Sequence, residues 1–113
     1  VSRYQQGNYA DAVDLFSQAL RINPANVESS VNLGMIYFLA QRWDEALGAF
    51  QQALKYNPRS AEAHYNLGLF WERHGDLEKA VQAYRKFIEL AGAPHAALAA
   101  RVTEHVRQME RSK

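Results

Sequence analysis

A segment of this chain returns after 34 residues: YADAVDLFSQALRINPAN, Tyr9 to Asn26, reappears as WDEALGAFQQALKYNPRS, Trp43 to Ser60. Ala12/Ala46, Phe16/Phe50, Ala19/Ala53 and Pro24/Pro58 are identical at matching places. A third copy follows at the same interval, with Asn32-Leu33-Gly34 recurring as Asn66-Leu67-Gly68, Tyr37 as Trp71, Ala46 as Ala80 and Phe50 as Tyr84. A fixed period of this length constrains the fold more than any composition does. Each copy is one supersecondary unit that cannot bury its apolar face alone, so copies must stack. The spacing predicts an all-α chain of antiparallel helix pairs and moves the functional question to the surface of the stack.

Local chemistry places the breaks. Asn23-Pro24 and Asn57-Pro58 end the second helices, because the residue before proline avoids the helical region and proline has no amide donor. Gly75-Asp76 ends one helix and caps the next, and Gly7-Asn8 predicts the same device in the first copy, with Asn8 as N-cap and Asp11 in the first turn. Gly34 and Gly68 sit inside predicted helices, where glycine costs about 1 kcal/mol against alanine. Close backbone approach is the compensating reason, with Ala46 and Ala80 as the expected small partners and Phe50 and Tyr84 filling space toward the neighbouring unit. Helical spacing predicts packing roles for Trp43 and Trp71.

The repeating positions resemble the tetratricopeptide repeat, whose pattern is a Trp, a Leu-Gly pair, a Tyr, an Ala, a Phe and a Pro. The copy at 27–60 keeps Leu33, Gly34, Tyr37, Ala46, Phe50, Ala53 and Pro58 and has Ser30 where the family has Trp. The copy at 61–94 keeps Leu67, Gly68 and Ala80, substitutes Trp71 and Tyr84, and loses the small residue at Phe87 and the proline at Gly92. The resemblance implies a right-handed α-solenoid, a TPR-like superhelix. Its expected divisions are a partial first repeat at 1–26, a second repeat at 27–60, a third at 61–94 and a capping helix at 95–113. The start at Val1 falls inside a repeat's first helix, so the chain is expected to be a piece of a longer protein.

From 94 onward the pattern stops: Arg101 and Val102 stand where Leu and Gly belong. Leu98, Ala99, Val102, Val106 and Met109 make one apolar stripe at helical spacing, which predicts an amphipathic helix covering the third repeat. Pro94 suits its first turn.

Composition narrows the function. A net charge of +1 gives no electrostatic drive toward nucleic acid, and no apolar run approaches the ~20 residues that cross a bilayer, so neither nucleic acid nor membrane insertion is an expected partner. Without cysteine there is no thiol nucleophile or cysteine-based zinc site. His64, His74, His95 and His105 are never three or four apart, and there is no glycine-rich phosphate loop or nucleophile elbow. Neither catalysis nor a cofactor nor a metal is expected.

By the resemblance, the first helices line a concave face. In the second repeat these residues are Glu28, Val31, Asn32, Met35, Phe38 and Leu39, and in the third Glu62, Tyr65, Asn66, Leu69, Glu72 and Arg73. An extended peptide offers unpaired backbone donors and acceptors, and Asn32 and Asn66, one period apart, can satisfy one of each. This resembles the asparagine ladder of O-linked N-acetylglucosamine transferases; the alternative is that both amides face water. The carboxylate clamp of repeats that bind Hsp70 and Hsp90 tails is disfavoured, because Glu62 and Asn66 stand where its Lys and Arg belong and Glu28 and Glu62 would repel an acidic tail. The expected function is a non-catalytic scaffold or adaptor binding a protein or peptide segment. The alternatives are a targeting arm of a larger enzyme such as a glycosyltransferase, or a self-associating module. Apolar surface around Val13, Leu15, Phe16 and Leu20 is the expected route to a homo-oligomer.

Overall fold

The computed structural model describes the backbone of residues 3–111 and the side chains of residues 9–111. Every regular element among them is helical: α1 Arg3–Ile22, α2 Val27–Leu39, α3 Trp43–Tyr56, α4 Ala61–Arg73, α5 Leu77–Leu90, a 3₁₀ turn Ala93–His95, and α6 Ala96–Arg111. The chain divides into two compact units, residues 1–58 and 59–113. In the first, α2 packs between α1 and α3; in the second, α5 packs between α4 and α6.

Side chains start the helices. The carboxamide of Asn26 accepts from the Ser29 amide at 3.0 Å, the Ser60 hydroxyl from Ala63 at 3.3 Å and the Asp76 carboxylate from Lys79 at 3.2 Å, each satisfying a donor the first turn leaves open. The ends of α2 and α4 share one device, 34 residues apart. Gln41 and Gly75 take φ of 63° and 79°, the left-handed region. Their amides bond to Phe38 and Glu72 carbonyls, while Arg42 and Asp76 amides reach back to Tyr37 and Trp71. This pairing closes a helix at a left-handed residue and reverses the chain within two positions.

The expected break at Gly7-Asn8 does not occur: α1 runs through both residues, and Asn8 is not an N-cap. An interior glycine costs only about 1 kcal/mol, so continuation wins. Along α1, Val13, Phe16 and Leu20 are half-buried, whereas Leu15 and Ile22 are 64% and 87% exposed.

The glycines behave as expected, with a different partner. A Cβ on Gly34 would lie 2.5 Å from Cε1 of Phe50, and one on Gly68 would lie 2.5 Å from Cδ1 of Tyr84. Each aromatic ring is 1% exposed and lies over the glycine of its own repeat, so the small partner faces a large one. Ala46 and Ala80 are fully buried, but the atoms nearest the missing side chain are those of the Phe50 and Tyr84 rings. Ser30, in place of the family's large aromatic, is 1% exposed, and its hydroxyl has no hydrogen-bond partner.

The terminal stripe packs as predicted. Val102, Val106 and Met109 of α6 are buried in one cluster with Ala80, Val81, Tyr84 and Phe87 of α5, and Leu98 and Ala99 pack at its edge. Arg85 pairs with Glu110 across the same two helices. Trp43 and Trp71 also pack: Trp43 stands edge-on to Phe38 at 5.4 Å, and Trp71 edge-on to Phe70 at 5.0 Å.

Candidate functional site

The residues expected to line a binding face separate into two sets on each first helix. On α2, Glu28, Asn32, Met35 and Leu39 are spaced i, i+4, i+7 and i+11, so they form one stripe. Met35 and Leu39 are 42% and 53% exposed, Glu28 is exposed and Asn32 half-buried. Val31 and Phe38 lie on another face: Val31 is 2% exposed, and half-buried Phe38 holds Trp43.

The same division appears on α4 at matching positions. Glu62, Asn66, Leu69 and Arg73 form the stripe, with Glu62 and Arg73 exposed, Leu69 half-buried at the edge of the core cluster and Asn66 only 7% exposed. Tyr65 is half-buried and its ring is 6.1 Å from Tyr84 and 5.2 Å from Phe87. A polar, partly apolar stripe thus runs down each of the two helices, and the residues between are tied to packing within their own unit.

Glu72 takes a role that its sequence position did not reveal. Its carboxylate accepts the Tyr84 hydroxyl at 2.7 Å, and Nε2 of His105 on α6 lies 2.9 Å from both of its oxygens. His105 also stands edge-on to Tyr84 at 5.7 Å. One carboxylate therefore ties α4, α5 and α6 together. A signal for this was present: His105 lies 34 residues after Trp71 and so occupies the repeat's aromatic position, although α6 abandons the pattern elsewhere.

A carboxylate, an imidazole and a phenol in contact could be read as reaction chemistry, but Tyr84 is 1% exposed and unreachable by a substrate. Burial above all, then the hydrogen bond to Glu72 and the negative charge there, hold its hydroxyl far above the usual tyrosine range. It keeps its proton in the folded protein where a tyrosine of the unfolded chain, with its usual value near 10, gives it up. The stabilisation linked to Tyr84 is accordingly complete below about pH 10 and lost as the pH rises beyond it. Melting temperature measured from pH 8 to 11 should fall more steeply for the native chain than for Tyr84→Phe; equal slopes would contradict this role.

Among the described residues, no group of three His, Cys, Asp or Glu side chains is placed to hold a metal ion, and no helix is long and apolar enough to cross a membrane.

Comparison with known proteins gives the same architecture. A family model described as tetratricopeptide repeat matches residues 1–51 and 40–97. Comparison with curated proteins found no match. Among solved structures, PcrH in complex with the chaperone binding region of PopD is 20% identical, with a TM-score of 0.85 over 97% of this chain and 84% of that one. The Yersinia enterocolitica type III secretion chaperone SycD, in complex with a peptide of the translocator YopD, is 17% identical, with a TM-score of 0.86 over 97% of this chain and 86% of that one. The first TPR of Spaghetti, bound to an HSP90 peptide, is 22% identical, with a TM-score of 0.79 over 96% and 82%. At these identities the likeness carries the fold, and it bears out the expectation of an all-α solenoid of antiparallel helix pairs.

Proposed function

We propose, from the premise that this chain belongs to the tetratricopeptide repeat family, that it is a protein-interaction module which holds peptide segments of its partner against the stripe that each unit carries, on α2 in the first and on α4 in the second. The observation that carries this reading is the α2 stripe, where Met35 and Leu39 remain 42% and 53% exposed beside the amide of Asn32. Exposed apolar side chains at helical spacing, rimmed by polar groups, are what a partner segment buries on binding. An amide can at once donate to a backbone carbonyl and accept from a backbone amide, so Asn32 adds orientation without fixing the partner's sequence. Asn66, at the matching place on α4, is the second such group.

The three structural relatives each hold a peptide or a binding region of another protein, which supports the same mode of action here. Glu28 and Glu62 on the stripes argue for a segment that is apolar and neutral or basic, and against an acidic tail. No catalytic step belongs to this reading; where the chain is an arm of a larger enzyme, it supplies binding alone.

The test is a titration with a peptide selected from a displayed random library for binding to this chain. Met35→Glu/Leu69→Glu should weaken that peptide at least about tenfold, because a charge must then be desolvated against an apolar side chain. Asn32→Ala/Asn66→Ala should weaken it by about three- to tenfold, as lost neutral hydrogen bonds do. Unchanged affinity in both variants would remove the reading.

A further inference from the structure

The two most exposed large apolar side chains among the described residues are Leu15 and Ile22 of α1, at 64% and 87%. They stand seven residues apart, and half-buried Ala12 and Ala19 alternate with them at the spacing i, i+3, i+7 and i+10. This is a seam of small and large residues along one side of the helix, of the kind that packs on a second helix. It lies opposite the side that α1 gives to α2, where Tyr9, Val13 and Ser17 line a groove with Tyr37 and Ala40. Of the apolar surface expected from sequence, Leu15 belongs to this seam, while Val13 lies on the α2 side.

The other copies of the repeat show what differs here. Ala12, Leu15 and Ala19 correspond to Ala46, Ala49 and Ala53 of α3 and to Ala80, Ala83 and Phe87 of α5. On α3 all three are buried, and Phe50 beside them lies over Gly34 of α2. On α5, Ala80 and Phe87 are buried, and the Phe87 ring meets Tyr65 of α4. The middle position is alanine in both of those copies and leucine in the first. A helix seated on α1 as α2 is seated on α3 would therefore meet an isobutyl group in place of a methyl. Nor does α1 turn back on itself: it runs unbroken for 20 residues, against 14 for α3 and for α5, and α2 is the helix of the first unit that packs on it.

From this arrangement we propose that the seam is an interface with a second copy of this chain, the two α1 helices packing antiparallel about a twofold axis level with Ser17. That register sets Leu15 against the partner's Ala19 and Ile22 against the partner's Ala12, so each large side chain enters the space over a small one, twice by symmetry. Charge selects the same orientation. Asp14 and Arg21 are exposed on one side of the seam, seven residues apart, so an antiparallel pair brings each Asp14 beside the partner's Arg21. A parallel pair would instead set aspartate against aspartate and arginine against arginine. The seam covers about three turns of helix, or ~15 Å, which places the interface in the small, transient class. It uses none of the stripe residues on α2 and α4 and stands independently of their peptide binding.

Light scattering on the whole chain at about 100 μM should give twice the monomer mass, falling to the monomer on dilution to about 1 μM. Leu15→Glu/Ile22→Glu should be a monomer at both concentrations and keep its helical circular dichroism, because both side chains already face water in the single copy. Asp14→Arg and Arg21→Glu should each raise the dimer dissociation constant at least about threefold, and the two together in one chain should restore it. The chain has no cysteine, so introduced thiols report the orientation. Ala12→Cys mixed with Ile22→Cys should cross-link in air several-fold faster than either variant alone. A monomer at about 100 μM, a dimer that survives Leu15→Glu/Ile22→Glu, or faster cross-linking of Ala12→Cys with itself would overturn the proposal.

Discussion

Val106→Asp is expected to destabilise this protein by about 3–5 kcal/mol, and Val106→Thr by about 1–2 kcal/mol. Val106 is 4% exposed at the centre of the cluster that joins α6 to α5, among Val102, Met109, Val81, Tyr84 and Phe87. Substitution by aspartate removes a buried aliphatic group and puts in its place a charge with no cation among those residues. Domain stabilities are themselves about 5–15 kcal/mol, so a loss of this size is a large part of the whole. Helical circular dichroism against urea should show the midpoint shift. Returning to about pH 4 should restore part of the lost stability, because a neutral carboxyl is less costly to bury than a carboxylate. A loss below about 1 kcal/mol would mean that α6 is not held by this cluster.

The second large effect should separate glycines that look alike in the sequence. A Cβ at Gly34 or Gly68 would stand 2.5 Å from the ring of Phe50 or Tyr84, more than 1 Å inside an ordinary carbon contact of about 3.5–4.0 Å. Both rings are 1% exposed and have no room to retreat. Gly34→Ala and Gly68→Ala should therefore each lose about 1–3 kcal/mol, although alanine is the better helix former. Gly48 of α3 has nothing within 4 Å of an added Cβ, so Gly48→Ala should gain about 0.5–1 kcal/mol. Phe50→Leu should be less harmful in the Gly34→Ala background than alone, with a coupling above about 0.5 kcal/mol in the double-mutant cycle. Additive losses, or equal effects at Gly34 and Gly48, would contradict the contact.

The 34-residue echo made most of this fold legible. Period, proline positions and apolar spacing located α2 to α6, and the stripe Leu98, Ala99, Val102, Val106 and Met109 is the one that packs on α5. Periodicity was less able to say which large residue meets which small one. It gave Gly34 an alanine for a partner where the fold gives it Phe50, because side-chain reach is not in the spacing. It also expected a break at Gly7, since a turn signal is local while the reversal depends on an apolar helix to pack against.

Which of the expected binding residues stay exposed was not legible. Carrying whole first-helix faces over from the repeat gathered residues such as Val31 and Tyr65, whose packing lies within their own units, together with Met35 and Leu39, which stay exposed. Glu72 was placed among the groove residues, but its partners Tyr84 and His105 lie 12 and 33 residues away on other helices, and no local pattern pairs them.

The central claim is that partner segments are held on the stripe of each unit, α2 in one and α4 in the other, and hydrogen–deuterium exchange with the library-selected peptide tests it most directly. Peptide at saturating concentration should slow exchange in 27–39 and 61–73, with smaller change in 43–56 and 77–90. Protection concentrated in 43–56, 77–90 or 96–111, with α2 and α4 unaffected, would contradict the account.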